Sequence, residues 1–385
     1  MDSFKGCLTS SEAGASAAGA FGAGDDVRVV EVSDGGEGFM QALTRSLGGY
    51  ILPVQSHDPL GMPIQSAIGI AEDGMTAVVD TASAGGLGLV PPNLRSPLRT
   101  TSYGTGELLG AALDQGVGRI VVGLGGSATC DGGLGMLQAL GYRLLDPLGR
   151  EISFPVLSSV HTIDPGRRHR MLSSVQILAL YDGRIPLCGR GGAALRYSPQ
   201  KGASPALASE LDSWLYGIGT LFSMYSGQDA IHGGGAGAAG GIGAALGCVL
   251  HARMLPGLET FLDLVGIPSV LEDALADDGR VLVITGEGKS DEQTLDGKVP
   301  LGILEYLRKD PATSSALMEG RIQVVLLSGR VEGRERFMEE GFCEVLEATA
   351  RDTPEEMLTD PDLARENIRG VLSGALPYLR VALES

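Results

Sequence analysis

Residues 119–140 read RIVVGLGGSATCDGGLGMLQAL, and this stretch indicates the class of the fold. An apolar run at 119–123 leads into a glycine-rich turn, and a pattern compatible with a helix follows at 133–140. Continuous apolar runs without polar alternation are typical of parallel strands covered on both faces. In such sheets ligands bind beyond the carboxyl ends of the strands, where loops lead into helices. The stretch therefore predicts a buried strand followed by a binding loop.

The same alternation of apolar runs and helical patterns recurs along the chain. It predicts strands at 27–32, 77–80, 119–123, 175–179, 281–285 and 322–327. It predicts helices at 10–21, 36–47, 104–115, 133–140, 205–225, 300–308 and 363–382. Alternating strands and helices predict an α/β fold, and 385 residues suggest two domains at about 100 to 200 residues each. We interpret the glycine- and alanine-rich segment 233–247 as a tightly packed helix start rather than a linker.

Composition excludes several classes of protein. Hydrophobic residues make up 43% and charged residues 20% of the chain, which excludes a disordered protein. The charge of 29 − 47 = −18 offers no basic surface for nucleic acid or anionic membranes. The five cysteines are dispersed and the start of the chain lacks an apolar leader, so we expect a cytoplasmic protein without disulfides or zinc. Its partner is expected to be a small molecule.

Standard nucleotide-binding motifs are absent. The run Gly286–Ser290 ends like a P-loop, but that motif requires glycine where Val283 stands. The run beginning at Gly123 lacks the third glycine of a Rossmann fingerprint, because Ala128 occupies that position. Any phosphate-binding loop here is therefore of another kind.

What the chain does contain is a series of loops that combine acids, lysines and glycines. Four of its five lysines, Lys5, Lys201, Lys289 and Lys298, directly neighbour a glycine. Phosphoryl transfer requires cations near phosphate oxygens, carboxylates for Mg²⁺ or as a base, and glycine backbone close to the nucleotide. A helix N-cap is the alternative for the loop aspartates. The histidines lack metal-ligand spacing and Cys130 lacks a neighbouring base, so we interpret both as structural.

These loops are similar to the bacterial glycerate kinase family. The resemblance extends from residue 2 to about residue 330, and its motifs occur in the order DSFKG, SDGGEG, DPLG, TSYGTGEL, GLGGSAT-x-DGG, PQKGA, GAGAAGG-x-GAAL and ITGEGKSD-x-QTL-x-GK. It implies ATP-dependent phosphorylation of glycerate with Mg²⁺, favouring 2-phosphoglycerate over 3-phosphoglycerate. It also implies one flavodoxin-like and one restriction-endonuclease-like α/β domain, with the active site in the cleft between them. We predict a terminal domain of residues 1–62 plus 288–385 and an inserted domain of residues 63–287; the resemblance leaves a homodimer open.

The resemblance and the loop chemistry together assign candidate roles. The catalytic candidates are Lys5, Asp131, Asp182, Asp291, Lys201 and Lys298. Nucleotide contacts are predicted at Gly125, Gly126, Ser127, Thr129, Gly286, Glu287, Gly288 and Lys289. Mg²⁺ ligands are predicted among Asp34, Asp131 and Asp291. Asp182 or Asp291 would act as the base, and Lys201 or Lys298 would neutralise the glycerate carboxylate or the transferring group.

The sequence also departs from the family pattern. Cys130 replaces an asparagine, and Arg184 and Ile185 lie in an acid loop that has asparagine in the family. No apolar strand precedes Asp2, so we expect a sheet that lacks this strand. Two alternatives follow: a degenerate kinase that only binds nucleotide or glycerate, and a kinase for another small hydroxy acid.

Overall fold

The structure is a computed structural model that describes residues 1–4, 6–33, 35–36, 38–153, 157–292, 294–350 and 359–384. The chain forms two compact units, one of residues 34–257 and the other of residues 1–33 with 258–385. Both units combine helices with sheets, which confirms the predicted α/β class. Of the helices in the described ranges, none has the length and apolar character required to span a bilayer.

The elements of the described residues are numbered in chain order. The strands are β1 (Tyr50–His57), β2 (Pro63–Ile70), β3 (Thr76–Asp80), β4 (Arg119–Leu124), β5 (Arg143–Leu145), β6 (Thr162–Asp164), β7 (Gln176–Tyr181), β8 (Arg253–Pro256), β9 (Val281–Thr285), β10 (Lys289–Ser290), β11 (Ile322–Ser328), β12 (Arg330–Val331) and β13 (Glu344–Glu347). The α-helices are α1 (Ser10–Ala18), α2 (Phe39–Ser46), α3 (Ala82–Gly85), α4 (Tyr103–Asp114), α5 (Leu134–Ala139), α6 (Ala193–Tyr197), α7 (Pro205–Ser226), α8 (Ala238–Ala244), α9 (Gly257–Leu264), α10 (Ile267–Leu275), α11 (Val299–Lys309), α12 (Pro311–Met318), α13 (Arg334–Glu339) and α14 (Pro361–Glu384).

The middle unit is built on a six-stranded sheet in the order β1–β2–β3–β4–β7–β8. Strands β3, β4, β7 and β8 are parallel, whereas β1 and β2 form an antiparallel hairpin at one edge. Every residue of β3 is buried, and so is every residue of β4 after the first. This burial is expected for parallel strands covered on both faces, and the strands predicted at 77–80, 119–123 and 175–179 are confirmed.

Helices α4 and α5 pack closely because of one glycine. A Cβ atom on Gly106 would lie 2.4 Å from the carbonyl oxygen of Met136, which no side chain permits. The neighbouring Leu108 and Leu109 are buried in the same core as Ile120 and Val122 of β4. The two helices therefore bring their first turns close together beside the sheet.

The terminal unit has a parallel three-stranded sheet in the order β13–β11–β9, and a short parallel pair formed by β10 and β12. Val325 and Leu327 of β11 pack in one core with Ile368 and Leu372 of α14. The strands predicted at 281–285 and 322–327 are confirmed. Among the described strands, β9 pairs only with β11.

The strand predicted at 27–32 is wrong. These residues have no regular secondary structure, and Val27 and Val29 are 38% and 46% exposed. The segment lies beside α1, where Val32 N–H donates to Ser10 Oγ at 3.1 Å and Val29 approaches Gly14. A β-branched run becomes a strand only where a neighbour supplies ladder hydrogen bonds, and no described strand pairs with this one.

Other secondary-structure predictions differ from the structure in smaller ways. The predicted helices correspond to α1, α2, α4, α5, α7, α11 and α14, with ends that differ by at most three residues. The prediction missed β1 and β2, which contain Pro53 and Pro63, and the short β8 and β13. Proline and charged residues weaken the strand pattern of these segments.

The residue ranges of the two compact units differ from those of the predicted domains. A boundary at 62/63 would separate β1 from β2, although these strands pair along their whole length from Tyr50–Ile70 to His57–Pro63. A boundary at 287/288 would separate β9 from β11, its hydrogen-bonded neighbour. The predicted ranges stay a prediction.

Candidate active site

The carboxyl ends of β3, β4 and β7 bring several predicted residues of the middle unit to one edge of the sheet. Asp80 pairs with Gly123 and Tyr181 pairs with Leu124 in the strand register. The loop at 125–129 and Asp182 begin directly beyond these positions. Such an edge is where ligands bind in parallel α/β sheets.

Two of the predicted glycine loops touch each other through their backbones. A Cβ on Gly125 would lie 2.5 Å from Gly36 Cα, and one on Gly123 would lie 2.8 Å from the carbonyl oxygen of Gly35. Only glycine permits this approach. Asp34 in the same loop, like Lys5, lies outside the residues that the structure describes, so the predictions for those two side chains stay predictions.

The loop at 125–128 is anchored to the segment after β3. Thr81 Oγ1 donates to the carbonyl oxygen of Gly125 at 2.7 Å and accepts from its amide at 3.2 Å. Leu87 N–H donates to the carbonyl oxygen of Gly126, and Ala128 N–H donates to the carbonyl oxygen of Gly85. In the part of the chain that is described, the amides of Gly126 and Ser127 make no hydrogen bond. These two amides, rather than that of Gly125, are therefore available to an anion.

Lys201 lies within the protein against this loop. Its Nζ donates to Ser127 Oγ at 3.1 Å and to the carbonyl oxygen of Thr129 at 2.7 Å, and the residue is 4% exposed. Burial lowers the pKa of the Lys201 ammonium below its ordinary value, while Cys130 and Asp131 oppose that shift. The loop thus carries a buried positive charge.

Asp131 is engaged with protein donors on both carboxylate oxygens. Oδ2 accepts from Ser102 N–H and Oγ–H at 2.8 Å each and from Gly135 N–H at 3.3 Å, and Oδ1 accepts from Gly133 N–H at 3.0 Å. Ser102 Oγ accepts in turn from Met136 N–H. Asp131 therefore ties the start of α4 to the start of α5, which is the cap-like alternative to a metal or catalytic role.

The segment 233–247 is tightly packed, as predicted, and its glycines lie against the backbone of the loop from Thr129 to Gly132. Ala239, Gly240 and Gly241 have left-handed backbone conformations at the start of α8. A Cβ on Gly240 would lie 1.9 Å from the carbonyl oxygen of Thr129, and Gly132 N–H donates to the carbonyl oxygen of Gly240 at 3.1 Å. The glycines thus support the loop from Thr129 to Gly132.

Asp182 is exposed at the end of β7. Burial raises the pKa of Tyr197, and the charge of Asp182 acts in the same direction. Further along this acid loop, Gly189 N–H donates to both oxygens of Asp212 at 2.9 and 3.1 Å. A cavity of about 370 Å³ lies there, with Cys188 and Tyr216 in its lining, and it includes none of the predicted site residues.

The loop of the terminal unit is organised around the buried carboxylate of Glu287. Its Oε1 accepts from Thr294 Oγ1 at 2.6 Å and from Ser290 Oγ at 3.2 Å, and its Oε2 lies 3.8 Å from Lys298 Nζ. Ser290 Oγ also bonds Ser328 Oγ at 2.7 Å. The side chain of Glu287 is therefore directed into its own loop, a role that the predicted nucleotide contact did not include.

The remaining charged residues of this loop lie nearer to solvent. Lys289 is about half exposed, and its Nζ lies 2.9 Å from Glu332 and 3.6 Å from Asp291. The hydrogen bond to Glu332 raises the pKa of Lys289 above its ordinary value. The opening motif lies on the same loop, since Asp2 N–H donates to the carbonyl oxygen of Gly286 at 2.8 Å.

Sequence reasoning missed Asp80. It is 1% exposed, and its carboxylate accepts from Ser83 N–H at 2.7 Å and from Met40 N–H at 3.1 Å. Its position at the end of an apolar run was a usable signal, because carboxylates at strand ends are typical of α/β sites. Asp80 links the start of α2 to the sheet edge.

An α/β protein with glycine loops, acids and lysines at the carboxyl ends of parallel strands has the features of a phosphotransferase. The comparisons identify the family: the model described as "Glycerate kinase family" matches residues 1–371. The chain belongs to the glycerate kinase family. It is 38% identical over 369 residues to "Glycerate kinase" of Bacillus subtilis, covering 91% of this chain and 94% of that protein.

Further relatives agree. The chain is 41% identical over 282 residues to "Glycerate 2-kinase" of Escherichia coli, covering 73% of this chain and 72% of that protein. The crystal structure titled "putative glycerate kinase 2" from Salmonella typhimurium superposes with a TM-score of 0.82 at 34% identity, covering 100% of this chain and 98% of that one. The resemblance noted from the motifs is thereby confirmed.

Proposed function

We propose that this chain transfers the γ-phosphoryl group of ATP to the 2-hydroxyl of glycerate and releases 2-phosphoglycerate and ADP. The observation that carries the proposal is the loop at 125–129 in a member of the glycerate kinase family. Gly126, with a φ of +66°, and Ser127 present amides that no described residue accepts, and the Lys201 ammonium lies against the same loop. Amides of this kind bind phosphate oxygens.

The described carboxylates differ in how well they suit Mg²⁺. No group of three or more metal-binding side chains occurs within the described ranges, but Mg²⁺ bound with a nucleotide commonly takes only one or two carboxylates plus phosphate oxygens. Asp131 fits poorly because four protein donors already occupy its oxygens. Asp291 fits better, because its carboxylate is partly exposed at the loop that carries Lys289. When bound, Mg²⁺ would offset negative charge on the phosphate oxygens.

The remaining roles follow from exposure and charge. Asp182, which is exposed at the end of β7, would take the proton of the glycerate hydroxyl while the hydroxyl oxygen forms the new bond to phosphorus. The bond from phosphorus to the bridging oxygen of ADP breaks in the same step. Lys289 would neutralise the phosphates, and the partly exposed Lys298 would hold the glycerate carboxylate.

The test is a coupled assay of the full chain with ATP, Mg²⁺ and D-glycerate. ADP release is followed with one coupling system, and enolase without a phosphoglycerate mutase is used in a parallel reaction. Enolase acts on 2-phosphoglycerate directly, so an immediate enolase signal is expected. A signal that requires added mutase would assign 3-phosphoglycerate instead.

Two further outcomes correspond to the alternatives. Binding of ATP without turnover of any acceptor would make the chain a binding protein. Turnover of another hydroxy acid with a higher kcat/KM than glycerate would change the substrate, and the Arg184 and Ile185 departures motivate that comparison. We also propose a cytoplasmic location, because the proposed reaction uses ATP. The flavodoxin-like and restriction-endonuclease-like domain types are likewise part of the proposal.

A further inference from the structure

Lys201 has almost no surface that a substrate could contact. It ends the 3₁₀ helix Pro199–Lys201 and is 4% exposed. A side chain that binds a passing substrate needs an accessible head group, and this ammonium is enclosed by protein. Its two hydrogen bonds instead reach Ser127 Oγ and the carbonyl oxygen of Thr129.

The buried charge of Lys201 lacks a direct counter-ion. No carboxylate of a described residue lies within 4.0 Å of its Nζ. Burying an ammonium without a paired carboxylate is costly. A buried ammonium without a counter-ion therefore suggests a functional role. The groups nearest to the Lys201 ammonium belong to the loop that contains the amides of Gly126 and Ser127.

The groups that Lys201 touches belong to Ser127 and Thr129, two of the predicted nucleotide contacts. Ser127 follows Gly126 directly, and its own amide is one of the two unused donors. Thr129 leads from the loop into Cys130 and Asp131, and its Oγ1 is buried with no partner in the described part of the chain. Lys201 thus holds both ends of the segment 127–129.

We propose that Lys201 is a positioning residue that holds the amides of Gly126 and Ser127 ready for the ATP phosphates through Ser127 and Thr129, without touching substrate itself. This inference rests on the proposed function, because it assumes that the loop binds ATP. It predicts that loss of Lys201 affects nucleotide binding more than glycerate binding.

The protonation state of Lys201 gives a test that a purely structural role would not affect, namely the pH dependence of the KM for ATP. The titratable groups that act on Lys201 are Cys130 and Asp131. Burial raises the pKa of Cys130 to about 11, so this thiol stays neutral over the working range. Because burial lowers the pKa of Lys201, its ammonium loses a proton at a pH below the ordinary value for lysine. We therefore expect the KM for ATP to rise at alkaline pH.

The experiment compares the full chain with Lys201→Met, Lys201→Arg and Lys309→Met. Lys309 is an exposed lysine on α11 that pairs with Glu259, so it serves as the matched control. We expect Lys201→Met to raise the KM for ATP at least tenfold while the KM for glycerate changes less than threefold. Arginine stays protonated, so Lys201→Arg should retain part of the affinity and lose the alkaline rise. Lys309→Met should match the parent chain.

Nucleotide binding separates this inference from the proposed function. Calorimetric titration with a non-hydrolysable ATP analogue measures affinity without turnover, and Ser127→Ala supplies a second variant if Lys201→Met fails to fold. Weaker analogue binding by these variants supports the positioning role even in a chain that does not phosphorylate glycerate. Three results would overturn the positioning role. The first is unchanged analogue affinity in Lys201→Met, or in Ser127→Ala if Lys201→Met fails to fold. The others are an alkaline rise in the KM for ATP that persists in Lys201→Arg, and no analogue binding by the parent chain.

Discussion

Two buried carboxylates, Asp80 and Glu287, have comparable roles in the two units. Asp80 ends β3 and accepts backbone amides from Ser83 and Met40, whereas Glu287 follows β9 and accepts hydroxyls from Ser290 and Thr294. Asp80 accepts from amides at the starts of α2 and α3, and Glu287 accepts from hydroxyls of the residues that follow it. At the scale of the residue, these two buried acids thus order the segments that follow the strands.

Asp80→Ala should lower the free energy of unfolding by about 2 to 4 kcal/mol, because it leaves the buried amide of Met40 and the partly buried amide of Ser83 without their acceptor. Urea unfolding measures the difference. Asp114→Ala, which removes an exposed carboxylate beside His169, is the control and should change stability by less than about 0.5 kcal/mol. Equal effects of the two substitutions would contradict the role given to Asp80.

At the scale of the element, helix α1 is held by its capping residues and by α14. Thr9 Oγ1 accepts from Glu12 N–H, and the Glu12 carboxylate accepts from Thr9 N–H, which is a complete capping box. Arg365 of α14 donates to the same carboxylate at 2.7 Å. These contacts lower the pKa of Glu12 to about 2, the Thr9 hydrogen bonds being the largest cause.

The low pKa of Glu12 predicts an acid-dependent contribution to stability. A carboxylate with a depressed pKa in the folded state stabilises the protein above its unfolded pKa and loses that effect as the pH falls towards about 2. Glu12→Gln should therefore be less stable than the parent chain at pH 7, and the difference should shrink as the pH falls below about 4. Urea midpoints across that range test it. A difference that does not vary with pH would mean that the charge of Glu12 has no part in holding α1.

At the scale of the whole molecule, each unit has its own hydrophobic core. The cluster around Ile120, Val122 and Leu215 consists only of residues of the middle unit. The cluster around Val325 and Ile368 consists only of residues from the two terminal segments. The middle unit is one continuous stretch of chain, whereas the terminal unit requires both ends.

A fragment of residues 34–257 is therefore expected to unfold cooperatively by itself. It keeps the whole six-stranded sheet, the Asp80–Met40 contact and the core around Ile120. The fragment 63–287, which follows the boundaries predicted from the sequence, removes β1 and Met40 and adds β9 without β11, so it should be markedly less stable. Urea unfolding of both fragments decides between the divisions, and a more stable fragment 63–287 would favour the predicted one.

The sequence by itself determined the features that depend on near neighbours. The apolar runs at 281–285 and 322–327 form neighbouring strands as predicted, and the seven predicted helices are recognisable from their local patterns. The loop motifs are contiguous, so the sequence alone indicates the family. The glycines at the strand ends likewise predicted loops at the edge of the sheet.

Only the tertiary structure decided the features that depend on distant partners. The run at 27–32 has strand composition, but no described strand pairs with it. Asp131 has the same appearance as the other loop acids, and it is engaged because Ser102, distant in sequence, folds against it. The sequence predicts that Lys201 contacts substrate, and only the fold shows that it is buried against Ser127 and Thr129. Strand pairing and burial are set by contacts between segments far apart in the chain, so local patterns do not contain them.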